Sequence, residues 1–161
     1  MRMVLLKSSK ELTNKNERMV LMIKEFVLKW EERKSKLEEK IRNTPQSEYN
    51  TYEKLVKMLF DIVINYGEPM YNQYDTSYII RANEDAYRGT YIFVLHKEYI
   101  DDSYIEDYIY TTVRYGTCSG CDILKNINED GYSYELPNEE QVKDYMTLIL
   151  HLLQKCHRFE S

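Results

Sequence analysis

The hydrophobic period of this chain changes at Pro69 and changes back near Asn138, and that alternation constrains the fold more than any motif does. Before Pro69, Met19, Ile23, Phe26, Trp30, Leu37 and Ile41 recur three, four or seven apart, which predicts one helix over about 14–42. Asn14 followed by Glu17 is a capping start. The distal half, from Glu31 to Lys40, carries Glu and Lys at four-residue spacing and is expected to project, or to pack through a narrow seam. Thr44 and Pro45 signal a second helix with Tyr52, Leu55, Val56, Leu59, Ile62, Val63 and Tyr66 on one face. Gly67 and Pro69 end it, and the short connection favours an antiparallel helical hairpin over 1–67.

After Pro69 the chain turns to Tyr, Ile, Val and Thr, divided by Asn, Asp and Gly. This predicts antiparallel strands at Tyr78 to Arg81, Thr90 to His96 and Tyr108 to Tyr115, within a β-rich region over 75–136. Lys97 to Asp107 joins the last two and also has helical spacing, while Tyr132 to Leu136 is a candidate edge strand. Asn138 and Gln141 then cap a helix over 138–158 whose apolar stripe is Val142, Tyr145, Met146, Ile149, Leu152, Leu153 and Cys156. The expected class is α+β: an N-terminal helical hairpin, a small antiparallel sheet of three to four strands, and a C-terminal helix packed on the sheet. A length of 161 residues suits one domain with one core.

A formal charge of −5 argues against direct nucleic-acid binding, which draws its affinity from many Lys and Arg contacts to phosphate. No apolar run reaches the roughly 20 residues of a membrane span, so a cytoplasmic location is expected. Three cysteines without an export signal imply reduced thiols.

The sharpest local mark is Tyr115 Gly116 Thr117 Cys118 Ser119 Gly120 Cys121 Asp122, a CxxC turn. Ser119 and Asp122 have capping spacing, which predicts a short helix through Ile127 with Cys121 at its second position and Cys118 just ahead of the cap. A thiolate there gains from the helix dipole, and Asp122 opposes that gain. A zinc site would need more ligands, with Cys156 and His157 or His96 as candidates. Cys156 and His157 are adjacent on the expected helix and diverge by about 100°, so they do not easily serve the same ion. The remaining reading is structural: small residues permit a tight turn, the two thiols behave as compact apolar groups, and Cys156 belongs to the core. No cofactor is called for, and the three histidines show no partner arrangement for a triad.

Thirteen of the 16 tyrosines fall between Tyr66 and Tyr134. With acidic neighbours, Tyr99, Asp101, Asp102, Tyr104 and Asp107 make a candidate protein-binding surface that could imitate nucleic acid before a basic cleft. AT-rich coding would enrich tyrosine equally well. The seam from Trp30 to Ile41 could serve a homodimer or an intramolecular bundle.

Residues 87–124 carry a resemblance. Tyr87 Arg88 Gly89 Thr90 Tyr91 Ile92 Phe93 Val94 Leu95, then Tyr110, the CxxC turn and Leu124, resemble small uncharacterised bacteriophage and bacterial proteins in which a YxG strand precedes a YGSCSGCD loop. Thr117 stands where serine is usual. The resemblance implies a phage or mobile-element origin and carries no assigned activity. The expected function is a non-enzymatic binding protein, a phage accessory factor that inhibits a host defence or nucleic-acid enzyme. The alternative is a thiol-redox or zinc-binding protein centred on Cys118 and Cys121.

Overall fold

The computed structural model describes residues 2–85, 88–98, 104–118, 120–129 and 133–159, with side chains from residue 14 onward. Helix α1 spans Arg2–Arg42 and starts well before the capping signal at Asn14. No Gly or Pro lies between residues 2 and 14, so nothing in the backbone stops the helix there. Met22, Phe26, Trp30, Leu37 and Ile41 are buried, whereas Met19 and Ile23 of the expected stripe are exposed. Those two share the buried face of α1, but the body covers this stretch only in part: Met22 and Phe26 are buried and Glu25 pairs with Arg158 at 3.5 Å, while the helix itself is long. At 1.5 Å per residue it is roughly 60 Å long, against a radius of gyration of about 15 Å for a domain of this size.

Of the two expectations for the distal half, projection or packing through a narrow seam, the second holds. The charged distal half is packed, with Leu37 and Ile41 fully buried and the charges turned outward. Arg33 Nε donates to the Ile62 carbonyl at 2.9 Å and its guanidinium lies 3.6 Å from the Tyr66 ring centre. Lys29 pairs with Glu68 at 2.7 Å, and Arg42 with Glu139 at 2.9 Å. Leu37→Ala is accordingly expected to cost about 3 kcal/mol, whereas Leu28→Ala on the exposed side of α1 stays within about 0.5 kcal/mol. Urea unfolding midpoints of the two variants check this pair.

Thr44 does not cap the second helix. Pro45 is extended, Gln46–Tyr49 forms a 3-10 turn, and helix α2, Tyr52–Leu59, is capped by Thr51, whose hydroxyl accepts from Lys54 N at 3.2 Å. The residues in between close the end of α1: the buried Tyr49 hydroxyl lies 3.0 Å from the Ile41 carbonyl and 3.1 Å from that of Thr44. A π-helical turn, Phe60–Ile64, extends α2, and Gly67 follows at φ 76°. Contacts from α1 run 41 to 49, 33 to 62 and 29 to 68, so the two helices are antiparallel, as expected.

Strands β1 (Ile80–Asn83), β2 (Gly89–His96), β3 (Tyr108–Tyr115) and β4 (His157–Arg158) form an antiparallel sheet in that order. The first begins two residues later than expected. The fourth is not the candidate at Tyr132 to Leu136: Tyr132 lies outside the described residues, and 133–136 is not a strand. Short helix α3 spans Ile123–Ile127, and α4 spans Glu139–Gln154 behind the expected Asn138 capping box. Helix α4 stops before Cys156, and the chain turns so that His157 pairs with Tyr110. In the linker before β3, Ile105–Asp107 is a 3-10 turn.

Phe93, Leu95, Ile109, Thr111, Val113 and Tyr115 alternate onto the buried face of the sheet. The Thr111 hydroxyl donates to the Leu152 carbonyl at 2.7 Å, which fixes α4 against β3. The architecture is the expected α+β class, and one cluster of buried side chains draws on α1, α2, β2, β3, α3 and α4. Among the described residues no helix is long and apolar enough to cross a membrane.

Candidate functional site

The CxxC turn is tied into the body at both ends. At its start, the Tyr115 ring stacks on Tyr91 with centres 3.9 Å apart, and its hydroxyl donates to the Asp85 carbonyl while accepting from Asp85 N at 3.1 Å. Gly89 lies directly opposite Tyr115 in the sheet, at φ +147°, where a Cβ would stand 3.3 Å from the Tyr115 hydroxyl. The start of β2 and the start of the CxxC turn therefore meet at one end of the β2–β3 pair.

At its far end the turn is held by Asp122, which is buried. This residue is the N-cap of α3, accepting from Lys125 N at 3.3 Å. Its carboxylate also accepts from the Tyr52 hydroxyl at 2.6 Å and from Gly116 N at 3.1 Å. Tyr52 in turn accepts from Leu124 N at 3.2 Å, and Lys125 Nζ donates to the Gly116 carbonyl at 2.8 Å. Burial and the Asp122 carboxylate push the Tyr52 hydroxyl well above the ordinary tyrosine range.

The expected cap is thus displaced. Asp122 fills the position assigned to Ser119, which lies outside the described residues, and Cys121 precedes the helix rather than occupying its second position. The carboxylate wins because it accepts from backbone and from Tyr52 at once, three donors for one group.

Cys118 and Cys121 are exposed and joined by a disulfide, with Cα atoms 5.3 Å apart, where reduced thiols were expected. Gly116 is required beside them: a Cβ there would fall 2.7 Å from Cys121 Sγ. Cys156 is remote from this chemistry. It is buried at the end of α4, its sulfur 3.4 Å from the Leu152 carbonyl, and burial pushes its thiol up to about 12. His157 is exposed on β4 with its ring against Tyr110. His96 Nδ1 lies 2.8 Å from the Lys97 carbonyl. Among the described residues no group of three or more His, Cys, Asp or Glu is placed to hold a metal ion.

Of the expected tyrosine-rich acidic surface, Tyr104 is exposed and Asp107 is half-buried. Tyr99, Asp101 and Asp102 lie outside the described residues.

Two surface features had no sequence signal. A cavity of about 390 Å³ opens between the CxxC turn, the end of β3 and α4, with Thr112, Arg114, Cys121, Asn126, His151 and Lys155 on its walls. A groove of about 800 Å³ lies beside α1, between Met19, Leu21 and Met22 on one side and Ile92, Tyr110 and Phe159 on the other. Helical and strand periodicity assign residues to faces, and neither shows which faces of distant elements will leave space between them.

No protein-family model, curated protein or solved structure matches this chain.

Proposed function

We propose that this chain is a non-enzymatic binding protein that engages a protein partner through the exposed side of the N-terminal half of α1. The carrying observation is the set of aliphatic side chains on that half: Met19, Val20, Leu21, Ile23, Val27 and Leu28 are all exposed, Leu21 to 64% and Leu28 to 70%. Singly exposed apolar residues are ordinary, but six within ten positions of one helix are a concentration of the kind that marks interaction sites. The adjoining groove extends it onto the sheet.

Charge supports the same reading. Residues 1–30 hold seven basic and three acidic side chains, while the remainder holds fifteen and twenty-four. The complementary partner surface is apolar with an acidic rim. The resemblance over residues 87–124 supports a bacteriophage accessory setting, in which occupying the surface of a host enzyme is the mode of action.

Leu21→Glu combined with Leu28→Glu is expected to leave the unfolding midpoint within about 0.5 kcal/mol of the parent, because both side chains are already in water. The same variant is expected to lose a partner that the parent retains at fixed stoichiometry in affinity capture from bacterial lysate. Light scattering on the purified parent separates self-association from capture of another protein. Equal recovery by parent and variant, or a monomeric parent that retains nothing, would overturn the reading.

A further inference from the structure

We infer that the cavity beside the Cys118–Cys121 disulfide binds a small thiol carrying carboxylates, and that the disulfide accepts this thiol by exchange. This site shares no residue with the groove beside α1, and it goes beyond the binding function.

The cavity is lined by cations in a chain of opposite net charge. Arg114 of β3 and Lys155, just past the end of α4, are on its walls, with His151 beside them, in a protein of net charge −5. Among the described residues neither Arg114 nor Lys155 forms an ion pair, so both cations are free to receive a carboxylate. Among the described residues Asp122 is the one acid on the wall, and its two oxygens already accept from Tyr52, Gly116 and Lys125. Arginine suits this role because its planar fork matches a carboxylate. Thr112 and Asn126 add neutral donors and acceptors at the rim. A volume of about 390 Å³ falls in the range of small-molecule sites.

The reactive bond borders this volume. Cys121 lines the cavity and Cys118 does not, so a thiolate anchored by Arg114 and Lys155 meets the Cys121 sulfur first. The ligand sulfur bonds to Cys121 Sγ and the Cys118–Cys121 bond breaks. The electron pair leaves on Cys118, which takes a proton from water. A second thiol then attacks the ligand sulfur of the mixed disulfide. It releases the oxidised ligand and leaves both cysteines reduced, so two thiols are oxidised for each protein disulfide reduced. The exchange joins an exposed disulfide to a charged recognition site, which an ordinary structural bridge does not need.

Reduced glutathione, a tripeptide thiol bearing carboxylates, and cysteamine, a cationic thiol, serve as the probes. The oxidised parent protein is mixed with each, quenched in acid and read by intact mass and peptide mapping, with rates expressed per thiolate. The parent is expected to react faster with glutathione and to carry the first adduct on Cys121. In Arg114→Glu combined with Lys155→Glu, the glutathione-to-cysteamine rate ratio is expected to fall by about tenfold. Arg114→Gln with Lys155→Gln provides a milder pair should the charge reversal disturb folding. In the parent alone, raising salt to about 0.5 M should lower the same ratio. The α1 variant Leu21→Glu/Leu28→Glu is expected to react as the parent does. A ratio unchanged by both variants and by salt, or a first adduct on Cys118, would overturn the inference.

Discussion

Raising the pH from about 9 to about 11 is expected to remove about 7 kcal/mol of folding stability, enough to unfold a domain of ordinary stability. The cause is a set of buried groups that cannot ionise in place. The hydroxyls of Tyr49, Tyr52 and Tyr145 are pushed above the ordinary tyrosine range, by burial first in each case, and Cys156 is pushed up to about 12. Each hydroxyl faces an acceptor: the Ile41 and Thr44 carbonyls for Tyr49, Asp122 for Tyr52, and Gln46 Oε1 at 2.7 Å for Tyr145. A phenolate there would lose its donor role and confront oxygen.

The folded chain therefore keeps protons that the unfolded chain releases above its own values, near 10 for tyrosine and about 8.5 for cysteine. Stability is complete below those values and is lost as pH rises through them. Between about pH 9 and about pH 11 each tyrosine contributes a loss of about 1.4 kcal/mol and Cys156 about 2.5 kcal/mol. Denaturant midpoints measured at successive pH values read the slope directly. Tyr145→Phe and Cys156→Ala should each make it shallower. A midpoint that holds steady to pH 11 would show that these groups titrate freely.

Asp122→Ala is expected to destabilise the protein by about 4 kcal/mol, from the loss of a helix cap together with two hydrogen bonds to a buried charge. The substitution leaves Gly116 N without its acceptor and removes the partner of the Tyr52 hydroxyl. Asp122→Asn keeps an acceptor oxygen and should cost about 1.5 kcal/mol. Tyr52→Phe alone should cost a similar amount, and combined with Asp122→Ala it should cost less than the two separate losses together, because the second change removes a group the first has already stranded. Urea unfolding of the four proteins closes this cycle. Strict additivity would mean that Tyr52 and Asp122 act separately and that the turn is held by its other contacts.

The helices were legible because their signals are local. Asn138 and Gln141 lie three apart, and the capping box they predict is present. Strand β3 begins and ends where the Tyr, Val and Thr run does. Errors arose where a local signal competed with a distant partner. Thr44 followed by Pro45 has the form of a helix start, but the Tyr49 hydroxyl uses that segment to close α1. The short strand at His157 has no strand-like length or alternation, and it exists because β3 offers an edge beside the end of α4. The Asp122 cap lay within the recognised motif, yet its hydrogen bond to Tyr52 spans 70 positions and leaves no trace in spacing.

By itself, the sequence determined the α+β class, the antiparallel helical hairpin and the CxxC turn, because periodicity, caps and breakers act through neighbours a few residues apart. Only the tertiary structure decided which side chains of α1 would be covered, since spacing assigns a face and does not say how much of it the body reaches. It also decided that Gly89 would face Tyr115, that Asp122 would be buried under Tyr52, and that Arg114, His151 and Lys155 would gather around the disulfide. Those arrangements depend on sheet register and on the docking of α4 and α2 against β3 and its following turn, which are set by the packing of the whole core.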